Sequence, residues 1–215
     1  MCIRDSEIID YFNGNRDQIP VGVTVHIVPV ANPDGLYVVT GSAGRFFREQ
    51  VAEDTTVGRF NGNNVDINRN FGCEWTATAR WGGRSVYPGS APFSEPESRA
   101  IRDLVGTMLP RAVIFWHSAA GGMVAPGSCD GSDAGSGSLA LAYGNAANYQ
   151  VGPFTPYDLS GTASDWVASQ GIPAFAVELI THESTEYGRN LAGVEAVLAL
   201  YGEAAVEESG EAAVD

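Results

Sequence analysis

The chain predicts a layered α/β domain with a largely parallel sheet, on three observations. Apolar, β-branched runs alternate with segments of helical period. Two of those runs end in a residue able to do chemistry, His117 and Glu178. No internal repeat and no linker divides the sequence into two units.

Val21–Val30 (VGVTVHIVPV) is apolar, β-branched and uncharged, and reads as a buried strand. Asn32-Pro33-Asp34-Gly35 reads as the turn that ends it, and residues 36–64 as a long irregular surface excursion. Ser94-Glu95-Pro96-Glu97 opens a helix, with Ser94 as cap and Ile101, Leu104, Val105 and Met108 at helical spacing. Ala112–Trp116 is the next strand, and His117 lies at its end. Residues 121–138, rich in Gly and Ser, read as a flexible loop. Leu139–Tyr149 and Thr162–Gln170 read as helices, the second stopped by Gly171. Ala174–Leu179 is a third strand carrying Glu178, and Arg189–Tyr201 an amphipathic closing helix.

A chain of 215 residues with 44% hydrophobic and 18% charged residues suits one globular domain. No apolar run approaches the roughly 20 residues of a membrane helix, so no membrane association is expected. The net charge of −14 repels phosphate backbones, which argues against nucleic acid as a partner. Met1–Ser6 has neither the pattern of a signal peptide nor an evident structural role. It reads as a non-native leader, residues 1–6, and leaves localisation open. Residues 204–215 form an acidic tail expected to fray. Cys2, Cys73 and Cys129 contain no C-x-x-C spacing. Cys73 and Cys129 sit in Gly-rich loops and are either disulfide-bonded or two free thiols.

Taken singly, the polar residues leave alternatives open. His117 suits a packed core histidine or a ligand. A carboxylate at a buried strand end, as at Glu178, needs a cation beside it, a metal or a raised pKa. Arg69, in Asp66-Ile67-Asn68-Arg69-Asn70-Phe71, offers a planar fork suited to a carboxylate, or is a surface arginine. Tyr157 suits ordinary packing.

Together, Asn-Pro-Asp-Gly (32–35), Val-Asp-Ile-Asn-Arg-Asn-Phe (65–71), Phe-Ser-Glu-Pro-Glu (93–97), Trp-His-Ser (116–118), Tyr157 through Asp165-Trp166, and Val-Glu-Leu (177–179) occur in one order. That order and spacing resemble the zinc metallocarboxypeptidases of the carboxypeptidase A/B-like family, from Asn32 to about Leu200, in their bacterial form. The resemblance implies a three-layer α/β/α fold with a mixed, largely parallel sheet, here without its amino-terminal strands. Residues 7–203 would then be a partial catalytic domain.

By the same resemblance, His117 matches a zinc ligand and Glu178 the glutamate that moves the proton. Asn68, Arg69 and Tyr157 match the groups that hold the substrate's terminal carboxylate. Arg59 and Arg48 compete for the arginine that stabilises the oxyanion, and Arg59 is the expected one. Ser164 falls at a side-chain pocket position, where Asp130 could supply a charge. The family's His-x-x-Glu ligand motif is missing: His26, His117 and His182 are not followed by Glu three residues on. His182-Glu183 imitates a ligand pair but follows the strand it should precede.

The implied reaction is zinc-dependent hydrolysis of an amide bond beside a free carboxylate. The implied partner is a peptide with a free C-terminus, acted on by a monomer in a secreted or periplasmic setting. This chain alone is expected to be inactive. A carboxylate-binding module without catalysis is one alternative. The other is an amidohydrolase of the same fold acting on small acylated amino acids or cell-wall peptides.

Overall fold

The computed structural model describes residues 2–211, with side chains from residue 7 to residue 202. Six helices are present among these: α1 (Cys2–Gly14), α2 (Pro33–Thr40), α3 (Pro96–Met108), α4 (Ser136–Ala147), α5 (Ala163–Ser169) and α6 (Tyr187–Glu211). The strands are β1 (Ala79–Trp81), β2 (Arg84–Val86), β3 (Val113–His117), β4 (Met123–Pro126), β5 (Gln150–Val151) and β6 (Ala174–Glu178). β1 and β2 form a small antiparallel hairpin. The other four make the central sheet in the order β3-β6-β4-β5. β3 runs parallel to β6 and β4 parallel to β5, while β4 and β6 are antiparallel.

The sheet is covered on both faces, because its strands alternate apolar residues between two cores. Ile114 and Trp116 of β3 join Phe175 and Val177 of β6 against Tyr143, Val194 and Leu198 of the α4 and α6 layer, with Ile8 and Phe12 of α1. Val113 and Phe115 join Ala174 against Ile67, Phe71, Val105, Trp166 and Val167, the layer of α3 and α5. The three-layer α/β/α architecture is therefore present.

Across the first core a chain of buried hydrogen bonds ties the layers together. Trp116 Nε1 donates to Tyr143 Oη at 3.0 Å, and Tyr143 Oη to Asn190 Oδ1 at 2.7 Å. Asn190 Nδ2 in turn reaches the carbonyls of Thr185 and Glu186, fixing the chain after β6.

Five sequence expectations need correction. Val21–Val30 is not a strand. Val23, Val25 and Ile27 lean on the first core with period two, but Val21 is 94% exposed and His26 also faces solvent. The residue pattern of a strand is there; a strand also needs a hydrogen-bonded neighbour, and none is present among the described residues.

Asn32-Pro33-Asp34-Gly35 starts α2 instead of ending a strand. The Asn32 side chain accepts from Gly35 N, and Pro33 supplies a preset first helical residue. The segment 36–64 is thus partly helical, with short 3₁₀ turns at Arg48–Gln50 and Thr56–Arg59. Residues 121–138 contain β4, which hydrogen-bonds along β6, and the start of α4. At α3 the cap is Glu95, one residue later than expected, since Ser94 Oγ is engaged with Asn70 and Glu95.

The acidic 204–215 stretch continues α6 as far as Glu211; its last residues lie outside the described ones. Cys2–Ser6 of the expected leader belong to the α1 backbone.

Cys73 and Cys129 are bonded, with Cα atoms 6.1 Å apart. The bridge joins the chain after Phe71 to the loop after β4, across a sequence separation of 56. Releasing a loop of that length should cost about 4 kcal/mol on a chain-entropy basis. Urea unfolding with and without dithiothreitol measures this; a midpoint that reduction leaves in place would show the bridge to be inert.

Candidate active site

Register decides where His117 and Glu178 go. They are Cα partners at the carboxyl ends of the parallel strands β3 and β6, and so share one face. The alternation identifies that face: Val113, Phe115 and Ala174 point to the second core, and His117 and Glu178 continue the same rows. The 65–71 segment and the start of α5 lie on that side.

The 61–71 segment is built to bury charge. Asn61 Oδ1 accepts from Asn63 N and Val65 N, and its Nδ2 reaches Glu95 and Glu97 at the head of α3. A bridge between Phe60 and Asp66 then turns the chain inward. Beyond it, Asn70 is fully buried and serves as a hub. Its Nδ2 faces Pro88 O, Ala91 O and Ser94 Oγ, while its Oδ1 accepts from Glu95 N and Ser98 Oγ.

Arg69 follows from that anchoring. It is 1% exposed; its Nε donates to Arg80 O at 2.9 Å and its Nη1 to Asn68 O. Burial pulls its pKa below the ordinary arginine value, opposed by the nearby Asp66 carboxylate. Asn68 Oδ1 accepts from Ala163 N, at the first residue of α5, at 2.9 Å. The Tyr157 ring centroid stands 6.0 Å from the Arg69 guanidinium carbon. Gly161, at φ +61°, lets this segment press against the Arg69 backbone, where a Cβ would collide with the Arg69 carbonyl.

The two candidate arginines separate clearly. Arg59 is part-buried, with Nε 2.6 Å from Asp66 Oδ2 and its Cζ 4.7 Å from the Trp81 ring centroid. Arg48 is exposed and donates to Glu183 O at 3.4 Å, out on the loop after β6. On that loop His182 Nδ1 lies 2.9 Å from Ser118 Oγ. Ser164 is half-buried beside Thr162, and Asp130 is exposed.

Glu178 completes the cluster. Burial pushes its pKa up to about 7, against the pull of Arg59 and Arg69, so both guanidinium fields reach this carboxyl. Glu178 is thus within the fields of Arg59 and Arg69 and level with His117, while Asn68 and Tyr157 stand beside Arg69. Two contributors were not assigned a role from sequence: Asp66, whose carboxylate is hidden among polar neighbours, and Trp81, which no motif marks.

The zinc carboxypeptidase family profile (Peptidase_M14) matches residues 13–192. The chain belongs to the zinc carboxypeptidase family. Among relatives of this family, bovine carboxypeptidase B (Bos taurus) is 30% identical over 171 residues, covering 72% of this chain and 40% of that protein. Mouse carboxypeptidase A4 (Mus musculus) is 34% identical over 182 residues, covering 73% and 40%. The chain thus spans about two-fifths of the length of these curated relatives.

Solved structures share the fold. Bovine thrombin-activatable fibrinolysis inhibitor, in complex with tick carboxypeptidase inhibitor, superposes with TM-score 0.64 at 19% identity, covering 97% of this chain and 78% of that one. The murein-tripeptide amidase MpaA of Escherichia coli O157 gives TM-score 0.55 at 20% identity, covering 82% and 67%.

The family's metal does not fit the described residues alone. No group of three His, Cys, Asp or Glu side chains among them is placed to hold an ion. His117 with Glu178 falls short of the three protein ligands a catalytic zinc site uses. After dialysis this chain should retain well under one zinc per molecule by elemental analysis. Stoichiometric metal would point to a different ligand set around His182 and Glu183.

Glu178 also predicts a pH dependence. Between its unperturbed value of 4.5 and about 7, the folded protein holds a proton that the unfolded chain has lost. The contribution of this group is therefore most favourable below 4.5 and declines as pH rises through 7, by on the order of 3 kcal/mol. Glu178→Gln should remove that decline. Denaturant midpoints for both proteins from pH 4.5 to pH 7.5 make the comparison, and parallel curves would reject it.

Proposed function

We propose that the protein carrying this chain is a zinc-dependent carboxypeptidase, cleaving the amide bond next to a free terminal carboxylate. The observation that carries the reading is a half-buried carboxyl acted on by two guanidinium groups, beside an imidazole at paired strand ends. That arrangement suits one bound residue with a carboxylate at one end and a scissile carbonyl at the other.

Arg69 and Asn68 would take the terminal carboxylate, with Tyr157 closing over it once the ligand is seated. Arg59 would meet the carbonyl oxygen as it gains negative charge. Glu178, poised near neutral pH, would accept a proton from the attacking water and return it to the leaving amine. His117 would be one metal ligand; the others must come from outside the described residues. The substrate is a peptide with a free C-terminus, bound by a monomer. The Cys73–Cys129 bridge supports a secreted or periplasmic setting. Among the described residues no helix is long and apolar enough to cross a membrane.

Calorimetric titration tests the pocket. N-acetylphenylalanine should bind at least about tenfold more tightly than its C-terminal amide, and Arg69→Ala should erase the difference. Equal binding of acid and amide would sink the reading. Release of C-terminal residues by the full-length protein, abolished by Glu178→Gln, separates an enzyme from a binding module.

A further inference from the structure

Two contacts fix the Arg59 guanidinium. Its Nε donates to Asp66 Oδ2 at 2.6 Å, and the Trp81 ring lies 4.7 Å from Cζ. With Nε committed, the two terminal nitrogens form the free edge of the planar fork. Neither has a hydrogen-bond partner among the described residues, and the side chain keeps 20% of its surface open. Glu178 lies within the field of that same guanidinium.

Asp66 is unusual in its own right. It is 1% exposed, its Oδ1 has no hydrogen-bond partner among the described residues, and the chain on either side is anchored independently, by Tyr87 O on the Asp66 amide and by the Asn70 hub. A carboxylate so deeply buried and half-satisfied is a poor device for stability, since desolvation cancels most of what the pair returns. It is a good device for geometry. One oxygen 2.6 Å from Nε sets both the position and the plane of the fork, and a ring behind Cζ prevents rotation out of that plane.

We propose that Asp66, with Trp81 behind it, is the positioning residue that turns the terminal nitrogens of Arg59 toward the carbonyl oxygen of a bound acyl-amino acid. This rests on the carboxypeptidase reading, in which Arg69 takes the carboxylate and Arg59 the carbonyl. Asp66 touches neither; it acts through Arg59.

The test pairs two ligands on the chain as it stands. N-acetylphenylalanine offers a carboxylate and an acyl carbonyl; 3-phenylpropionate offers the carboxylate alone. Asp66→Asn should weaken N-acetylphenylalanine about tenfold and leave 3-phenylpropionate within about twofold. Arg59→Lys, which keeps the charge without the fork, should show the same selective loss. Equal weakening of both ligands by Asp66→Asn would make Asp66 merely structural, and no weakening of either would dismiss it.

A spectroscopic readout covers the case in which Asp66→Asn does not fold. In the unmodified chain, the Arg59 Nε–H resonance, assigned by its loss in Arg59→Lys, should exchange with water far more slowly than that of exposed Arg48. Equal exchange overturns the proposal. If instead Arg69→Ala binds both ligands unchanged, the carboxylate reading fails, while the Arg59 resonance still decides for or against Asp66.

Discussion

The parallel register between β3 and β6 is the constraint on which the site depends. It makes His117 and Glu178 neighbours although 61 positions separate them in sequence, and it puts both on the face where the 65–71 segment packs. A slip of one residue between these strands would send one of the two side chains to the opposite core, among the apolar residues of α4 and α6. The register is held from both sides. Ile114, Trp116, Phe175 and Val177 interlock with one helix layer, and Phe115 and Ala174 with the other. The buried Trp116–Tyr143–Asn190 chain then fixes the turn leaving β6, so the strand end carrying Glu178 has no slack.

Against that rigid floor, the charged groups come in on two less regular segments, and each is tethered by polar contacts added to its apolar packing. Asn61 and Asn70 knit the 61–71 segment to α3; Asn68 and Gly161 join it to the chain before α5. Irregular backbone so close to the core leaves many amide and carbonyl groups away from water, and side-chain amides are the residues able to satisfy both kinds. The density of asparagine in residues 61–70 is therefore a folding requirement before it is a catalytic one.

This explains what was legible in the sequence. β3, β6, α3, α5 and α6 were visible because their apolar periods match the packing they make. β4 was not: its four residues sit in a Gly- and Ser-rich run, and only the neighbouring β6 makes them a strand. Val21–Val30 failed in the opposite sense, having a strand's residues without a partner. Asn32–Gly35 misled because Asn-Pro serves a turn and a helix start equally well. At the site, His117 and Glu178 were marked by their place after apolar runs, and Arg69 by its motif. Asp66 and Trp81 were hidden, since no local pattern tells a buried carboxylate from a solvated one. Nor did spacing separate Arg59 from Arg48. What distinguishes them is burial against Asp66 and Trp81, a property of the assembled fold.

The electrostatic balance of the cleft ties these pieces together. Arg59 and Arg69 bring two positive charges, Asp66 one negative, and Glu178 is divided between neutral and ionised forms near pH 7. With Glu178 protonated the cluster is net positive, within a protein of net charge −14. On the proposed reading, an entering carboxylate would be drawn to that surplus and would compete with Glu178 for the same two cations. If both carboxylates leaned on Arg69, the newcomer would drive Glu178 toward its protonated form and remove it as a base. On the proposed reading the cations would divide: Arg69, beside Tyr157, would take the ligand carboxylate, and Arg59 would stay with the carbonyl oxygen and Glu178.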